Sequence, residues 1–561
     1  IEVNMTPAFQ RRGPWRLLFG PTILSLCISE PSFAWRNEAV SKHLIKSAST
    51  QSLSKSPRTR IRNRVCDNTA LNMAKTETVA IIGGGIAGLS CANHLLSSRT
   101  EDGLLPLEPT VFDTGRLRPG GRCSSRFRGD DSENDDYPLL SEYTIDHAAQ
   151  IISIPASSSR DKFKEFEQQV RQWEEQGILA KFPSGTVCEV ARNHRKNARR
   201  SFYVRSLNRQ MQDSDSGNGK RPAPPDMYYA VNGMGSLPLN MMKPVNVKQD
   251  VWVSPSNGVR FQRGKWRIQA NGKQLGEFDR LVIAHNGKCA DRLMSKTPAK
   301  QVHKLLRVNF APTVRQQSTR MTLNSIYSLT FALDKKTSAL SKILYEDRFI
   351  SGFIKNHPNL RFLTCQTRKH KANSNDDVEV WTVLSSSSFA KRYKAPQEFL
   401  PPEVVKEVTT LLLQSLEECF DMQSGSLVLT PSSSDNDEED ETPISTPIAS
   451  VAGPPILESR LQLWGAAVPL NTWVAHGSDS KEEALGFLYD GQYGVGVCGD
   501  WLLDASIAGA WESGRRLATF MTTSDTSKQQ LSDDGDSLLV GVGDGKFETS
   551  QQVARAGIGS L

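Results

Sequence analysis

Gly83, Gly85 and Gly88 stand in the pattern GxGxxG directly behind the apolar run Thr78–Ile82. Residues of this type at this spacing point to phosphate chemistry. Gly83 permits a tight turn, Gly85 removes the side chain that would hold a pyrophosphate off the backbone, and Gly88 lets the next helix close onto its strand. The amides of Ile86 and Ala87 open that helix, where the dipole favours negative charge. Asp113 ends the next apolar run, 25 residues past Gly88. A carboxylate there accepts ribose hydroxyls and repels a 2′-phosphate, which disfavours NADP. Two more stretches carry related chemistry. Gly120, Gly121 and Arg122 form a turn that would swing a guanidinium fork back onto a pyrophosphate. Near the C-terminal end, an apolar strand runs into Gly499 and Asp500, then into a Gly/Ala-rich helix start at Ile507, Ala508 and Gly509. A carboxylate at that strand end suits a ribityl chain, and the helix amides would stabilise charge on a reduced flavin.

The elements that position these groups follow from pattern. The run Thr78–Ile82 is continuous and apolar, as in a strand buried inside a parallel sheet, and a helix follows it. A chain of 561 residues exceeds one ordinary core, so two or more domains are expected. The net charge of +7 invites a nucleic-acid reading, but residues 1–76 hold 12 Lys/Arg against 4 Asp/Glu, while the remainder holds 56 against 57. The folded body therefore has no basic footprint for nucleic acid. No apolar run reaches the roughly 18 residues of a membrane span. The nine cysteines form no CxxC pair and no zinc spacing, which favours idle or buried thiols in a reducing compartment. Cys498 could in principle carry a covalent flavin link; non-covalent FAD is the expectation.

Residues 1–76 read as a targeting leader. Arg11, Arg12 and Arg16 precede a short apolar run, and a Ser-rich segment with nine basic residues follows Phe33. A signal peptide followed by a transit peptide is the expected address, leading to a plastid, with translation starting at Met5. A mitochondrial or single-step plastid leader, or a start at Met73, are the alternatives. The leader, the insertions 208–226 and 431–445, and the tail 522–561 are polar, biased segments expected to be disordered or flexible.

The three glycine-bearing stretches together resemble the renalase-like, amine-oxidase-like branch of FAD-dependent oxidoreductases, closest to plastid-targeted plant and algal members. "TIDHAAQIIS" (144–153) is similar to that branch's Asp-His-Gly-Ala-Gln stretch, with Ala148 replacing a glycine. "YYAVNGMGSLPLNM", "FDRLVIAHNGKCADRLM" and "LQLWGAAVPLN" follow in the same order. The resemblance implies an α/β fold: a discontinuous Rossmann-type FAD-binding domain (77–150, 229–295 and 460–521) and a mixed α+β substrate domain (151–228 and 296–459). It implies that Gly83, Gly85 and Gly88 hold the pyrophosphate with Gly121 and Arg122, and that Asp113 holds the adenosine ribose. Val251 would touch the adenine through its backbone. Gly499 and Asp500 would hold the ribityl chain, and the amides of Ile507–Gly509 would face the ring. FAD would take a hydride from a small molecule, an amine or a reduced nicotinamide isomer among the candidates.

No catalytic base is assigned. His147, His285, Trp464, Trp501 and Lys288 are candidates, each more simply read as a structural residue. A second function class also fits: a non-catalytic, FAD-bearing subunit or assembly factor of a plastid membrane complex. A carotenoid-desaturase-like enzyme would need a long apolar tunnel, for which the intervening pieces are too polar. Bleaching of bound flavin by one specific reductant separates the first class from the second.

Overall fold

The computed structural model describes residues 76–98, 107–130, 137–154, 161–193, 200–208, 225–315, 318–375, 377–429, 455–477, 480–523, 539–543 and 545–549. The leader and nearly all of the two expected insertions lie outside the described residues. All described residues belong to one of the two compact units, 72–561.

The first sheet is assembled from distant pieces. Its strands lie in the order Asn246–Lys248, Leu107–Phe112, Glu77–Ile82, Arg280–Ile283, Val495–Val497, Leu488–Asp490, Leu539–Val540. The first five run parallel; Leu488–Asp490 runs antiparallel to them, and Leu539–Val540 is antiparallel to Leu488–Asp490. The alternation of side chains along a strand explains why the opening run is apolar throughout. Val79 and Ile81 face Ala87, Cys91 and Leu95 of the helix Ile86–Ser97 and Leu517 of the helix Ile507–Thr522. Ala80 and Ile82 face the opposite core, with Trp266 and Ile268 from the antiparallel meander Val259–Phe278. This is the expected α/β, Rossmann-type arrangement, and its ligand-bearing edge is the carboxyl end of the parallel strands.

The two helices on one face cross closely. A Cβ on Gly514 would lie 2.2 Å from the Ala87 carbonyl oxygen, and the Ser90 hydroxyl donates to the Trp511 carbonyl at 2.7 Å. Glycine at position 514 therefore sets how close the closing helix comes to the glycine loop.

The second sheet has eight strands, in the order Val428–Leu429, Pro455–Trp464, Ile326–Asp334, Val378–Ser385, Leu360–Cys365, Ser351–Ile354, Val187–Arg192, Phe202–Ser206. Tyr327, Leu329, Phe331 and Leu333 point to a core closed by the helices Ala339–Glu346 and Pro402–Cys419. The alternate residues Ser328 and Thr330 point to the other face, which looks towards the first half of the chain.

Several expected boundaries move. The ten-residue strand Pro455–Trp464 lies wholly in the second sheet, because eight of its residues pair with Ile326–Leu333, so the boundary at 460 falls inside it. The helix Lys300–Leu306 packs Val302, Leu305 and Leu306 into the first-sheet core, so that core extends beyond 295. The piece 151–228 divides: its helix Lys164–Glu175 packs Phe166, Val170 and Trp173 with Trp511 of the closing helix, while the strands Val187–Arg192 and Phe202–Ser206 join the second sheet. Two pieces of the expected flexible tail are strands. Leu539–Val540 edges the first sheet, and Lys546–Thr549 pairs with Asn471–Val474, with Phe547 against Trp473 at 5.1 Å. Among the described residues, no helix is long and apolar enough to cross a membrane.

The helix crossing yields a direct expectation. Gly514→Val drives two methyl groups into the Ala87 backbone and should destabilise the protein by about 3 kcal/mol, read as a lowered urea midpoint. Unchanged stability would show that the crossing is not tight.

Candidate dinucleotide site

The glycine loop has the geometry its residues require. Gly83 takes φ +113°, and its amide donates to the Phe112 carbonyl at 2.9 Å. A Cβ on Gly88 would sit 2.0 Å from the Gly83 carbonyl oxygen. Gly85 is different: a Cβ there would meet only the Gly120 carbonyl oxygen, 4.0 Å away. Space therefore lies in front of Gly85, and the amides of the first helical turn open onto it, where no preceding helical carbonyl can accept them. No side chain caps this helix.

Asp113 does more than expected. Its carboxylate accepts from the Gly84 amide at 2.8 Å and from the Gly115 amide at 2.8 Å. It pins the glycine loop to the end of the neighbouring strand, and the remaining lone pairs stay available to a hydroxyl. Val251 donates its amide to the Asp113 carbonyl at 2.9 Å, so only its carbonyl could meet an adenine.

The second and third stretches meet each other. Gly120 and Gly121 take φ +140° and +55°, and the turn sends Arg122 to Asp500, 2.7 Å away and 378 residues distant in sequence. The same guanidinium nitrogen reaches the Ala467 carbonyl at 2.9 Å. Burial works against the Arg122 charge, but the Asp500 carboxylate overrides it and raises the guanidinium pKa. The sequence assigns these two residues to different parts of one ligand; the structure ties them together, leaving the other donors of the Arg122 fork for a phosphate.

Other expected contacts are corrected. The Gly499 amide is spent on the Ser513 hydroxyl at 2.9 Å, and the Gly509 amide on the Ser506 hydroxyl at 3.0 Å. Gly509 is glycine for packing: a Cβ would lie 2.0 Å from the Asp504 carbonyl oxygen. Ile507 and Ala508 are buried with Ile86 and Leu89 in one apolar cluster. Burial, then the Asp500 charge, pushes the Asp504 carboxyl up to about 6.

Of the candidate bases, His147 lies nearest the Arg122 turn. Its Nε2 is 3.2 Å from the Ser124 hydroxyl, and its ring stacks on Trp464 at 5.6 Å and 12°. Trp464 donates to the His147 carbonyl at 3.2 Å. Burial, and then Arg126, lower the His147 imidazole to about 4, so it is neutral at ordinary pH. His285 holds the Ile82 carbonyl at 3.1 Å and backs the glycine loop. Lys288 sits 5.5 Å over the Phe310 ring. Trp501 is fully buried in the first-sheet core, stacked on Phe547, and does not wall the site. Cys498 is also fully buried; hydrogen bonding to Cys91 and then burial raise its thiol pKa.

A buried polar cluster escaped the sequence reading. The Asp146 carboxylate accepts from Lys369 Nζ at 2.8 Å, pairs with His370 Nε2 at 2.8 Å, and accepts from the Met234 amide at 2.7 Å and from the Ser125 hydroxyl. Lys369 Nζ also reaches Gln150 Oε1 at 3.0 Å. Burial opposes the Asp146 charge, but Lys369 and His370 win and hold its carboxyl far below the usual range. Burial lowers Lys369, with Asp146 acting against it. Lys369 and His370 sit in "TRKHK" (367–371), a basic run with no apolar period, so only Asp146 in the quoted 144–153 stretch offered a signal.

Residues 81–166 match the family described as NAD(P)-binding Rossmann-like domain. No curated protein matches the sequence. Among solved structures, a putative protoporphyrinogen oxidase from Exiguobacterium sp. 255-15 is similar at 9% identity and TM-score 0.46, over 80% of this chain and 99% of that one. Cyclohexylamine oxidase from Brevibacterium oxydans IH-35A is similar at 11% identity and TM-score 0.45, over 81% and 100%. Putrescine oxidase bound to putrescine is similar at 11% identity and TM-score 0.42, over 80% and 99%. At such distances the residue assignments rest on the geometry above.

Two outcomes test the site. Lys369→Met leaves Asp146 buried without its main partner and should cost about 3–5 kcal/mol, while Lys369→Met with Asp146→Asn should recover part of it. Denaturant unfolding of these two variants and of Asp146→Asn alone reads both; a purely additive cycle would remove the coupling. His147 supplies the pH dependence. The unfolded imidazole takes a proton near 6.5 and the folded one only near 4. Protons are thus bound preferentially by the unfolded chain in that window, and the His147 contribution to stability rises with pH from 4 to 6.5, by no more than about 3 kcal/mol. Asp504 acts in the opposite sense, so the comparison is wild type against His147→Asn: the variant should lose that part of the slope.

Proposed function

We propose that the protein is an FAD-dependent oxidoreductase that removes a hydride from a small molecule. One observation carries the reading. Segments as far apart as Arg122 and Asp500 converge beside the open space in front of Gly85, a convergence that a simple tight turn does not need. The residues fit a dinucleotide. The first-turn amides at Ile86 and Ala87 and the free side of Arg122 would hold a pyrophosphate, and Asp113 would hold the ribose. The missing Cβ atoms of Gly85 and Gly121, neither close to other protein atoms, would admit it. When bound, the flavin supplies the hydride-accepting chemistry.

This chain's own residues bind and orient. Arg122 neutralises phosphate charge while keeping Asp500 in place. Trp464 and His147 form a stacked pair on the far side of the Arg122 turn, and neutral His147 can accept a hydrogen bond without bringing a charge. A substrate that presents a neutral nitrogen or a hydridic carbon needs no stronger base. The Cys498 thiol, fully buried and held protonated, supports non-covalent attachment.

Reconstitution tests this reading. Protein made without the leader should purify yellow, or turn yellow with added FAD, and should release the flavin on heat denaturation. Gly85→Val fills the open space and should abolish binding. Arg122→Ala removes a charged donor, exposes the Asp500 charge to the phosphates, and should weaken FAD binding about tenfold to a hundredfold. Protein that stays colourless with excess FAD overturns the proposal. Flavin that is bound, reduced by dithionite and by no member of a panel of amines, organic acids and nicotinamide isomers would favour the non-catalytic subunit instead.

A further inference from the structure

The C-terminal segment is fastened to the body of the protein at a place that bears on Arg122. Lys546–Thr549 runs antiparallel to Asn471–Val474, which sets Phe547 opposite Trp473. Among the described residues, Asn471–Val474 has no other strand partner. Leu539–Val540 pairs with Tyr489–Asp490 at the edge of the first sheet. Gly541 follows at φ +71°, and its carbonyl accepts from Trp473 Nε1 at 2.8 Å. A Cβ on Gly541 would lie 2.4 Å from the Phe487 carbonyl oxygen, and one on Gly545 would lie 2.5 Å from the Trp473 ring. The segment is therefore seated closely at both ends, with glycine where its backbone passes nearest.

Phe547 is the centre of this contact. Its ring meets Trp473 at 5.1 Å and stacks on Trp501 at 6.3 Å and 21°. Trp501 is fully buried, and its Nε1 has no hydrogen-bond partner among the described residues, so packing alone fixes its ring. Each tryptophan leads back to the same guanidinium. Trp501 follows Asp500, whose carboxylate takes Arg122 at 2.7 Å. Trp473 lies on the run 467–474, at whose start the Ala467 carbonyl takes the same Arg122 nitrogen at 2.9 Å. Phe547 thus touches one aromatic from each of the two runs that hold Arg122. The Asn471 side chain pins the near part of the run 467–474, accepting from the Thr322 amide at 2.7 Å and donating to the Arg320 carbonyl at 3.0 Å. The far part, Thr472–Val474, is completed by the C-terminal segment.

We propose that the segment 539–549 is a clasp and Phe547 a positioning residue: together they hold Asp500 and the Ala467 carbonyl against Arg122, and so set how tightly the dinucleotide is kept. Without Phe547 the two tryptophans lose the ring they share, and the runs that carry the two acceptors gain freedom. Arg122 then has to be ordered when a phosphate arrives, and that ordering costs affinity. The coupling runs both ways. Whatever the docked segment adds to dinucleotide affinity, the bound dinucleotide adds to docking of the segment. The dinucleotide end of this coupling rests on the oxidoreductase reading.

Equilibrium dialysis of the full chain against FAD tests it. Phe547→Ala should raise the FAD dissociation constant about tenfold, and a chain ended after Thr523 should raise it at least as much. Phe547→Tyr keeps the ring and should restore most of the affinity. Leu412→Ala, in the second-sheet core, should lower the urea midpoint and leave FAD affinity unchanged, which separates positioning from general stability. Amide exchange gives the reciprocal readout: FAD should slow exchange in Lys546–Thr549 by a larger factor than in Phe202–Ser206, an edge strand of the second sheet. If Phe547→Ala binds FAD as tightly as wild type, the clasp is overturned alone, whatever the shortened chain does, and the oxidoreductase reading stands. A full chain that takes up no FAD overturns both.

Discussion

A carboxylate with no access to water governs the junction of the two halves of this protein. Asp146 is fully buried, and an isolated charge there would be prohibitive. It is tolerated because three chain segments converge on it with four groups: the Ser125 hydroxyl, the Met234 amide, and Lys369 with His370. Its own backbone is held as well, its carbonyl accepting from Gln150 and from Gln366 at 2.9 Å. Gln366 also donates to Thr382 in the middle of the second sheet, at 3.0 Å. Removing any partner strands a charge or a dipole, so the relative position of these segments is specified by polar satisfaction as well as by apolar burial.

That junction matters because the dinucleotide site is built from the same stretch. Arg122 and Ser124 lead into Ser125, which holds Asp146, and Asp146 is followed by His147, which returns to Ser124. The loop that would hold a pyrophosphate and the His147 that stacks on Trp464 are therefore two ends of one short, heavily bonded segment. On the other side the site is closed by Asp500 and by the helix crossing at Gly514. These contacts form a circuit: glycine loop to Asp113, Gly85 beside Gly120, Arg122 to Asp500, closing helix to opening helix. A circuit of this kind makes the site stiff, which suits a group that must be held in one orientation.

How much of this was legible follows from what is local. Gly83, Gly88 and the alternating burial of Thr78–Ile82 can be read directly, because a turn, a close helix and a two-sided strand are set within a dozen residues. Asp113 was legible as an acid at a strand end, but its bonds to Gly84 and Gly115 were not. Gly509 was legible as a glycine, but its close approach to the Asp504 carbonyl and its amide bond to Ser506 were not. The Arg122–Asp500 pair was out of reach, since each residue has a sensible partner in a ligand and nothing local says they meet. Lys369 was hidden for a physical reason. A lysine in a basic run belongs in water unless a buried acid claims it, and that acid is 223 residues away. The strands at 539–540 and 546–549 were masked by Gly and Asp, which signal chain freedom unless a sheet edge and a Trp473 face are already waiting.

Charge beside the glycine loop is arranged in a way that bears on what the loop can hold. Positive Arg122 is balanced by Asp500 at 2.7 Å, so the turn can meet a phosphate without becoming a general anion trap. Burial, and then the Arg126 charge, keep the nearby His147 neutral. A neutral imidazole cannot anchor a ligand by charge, and its orientation is set instead by stacking on Trp464 and by the Ser124 hydroxyl. The segment is thus built to position groups rather than to trade protons with them.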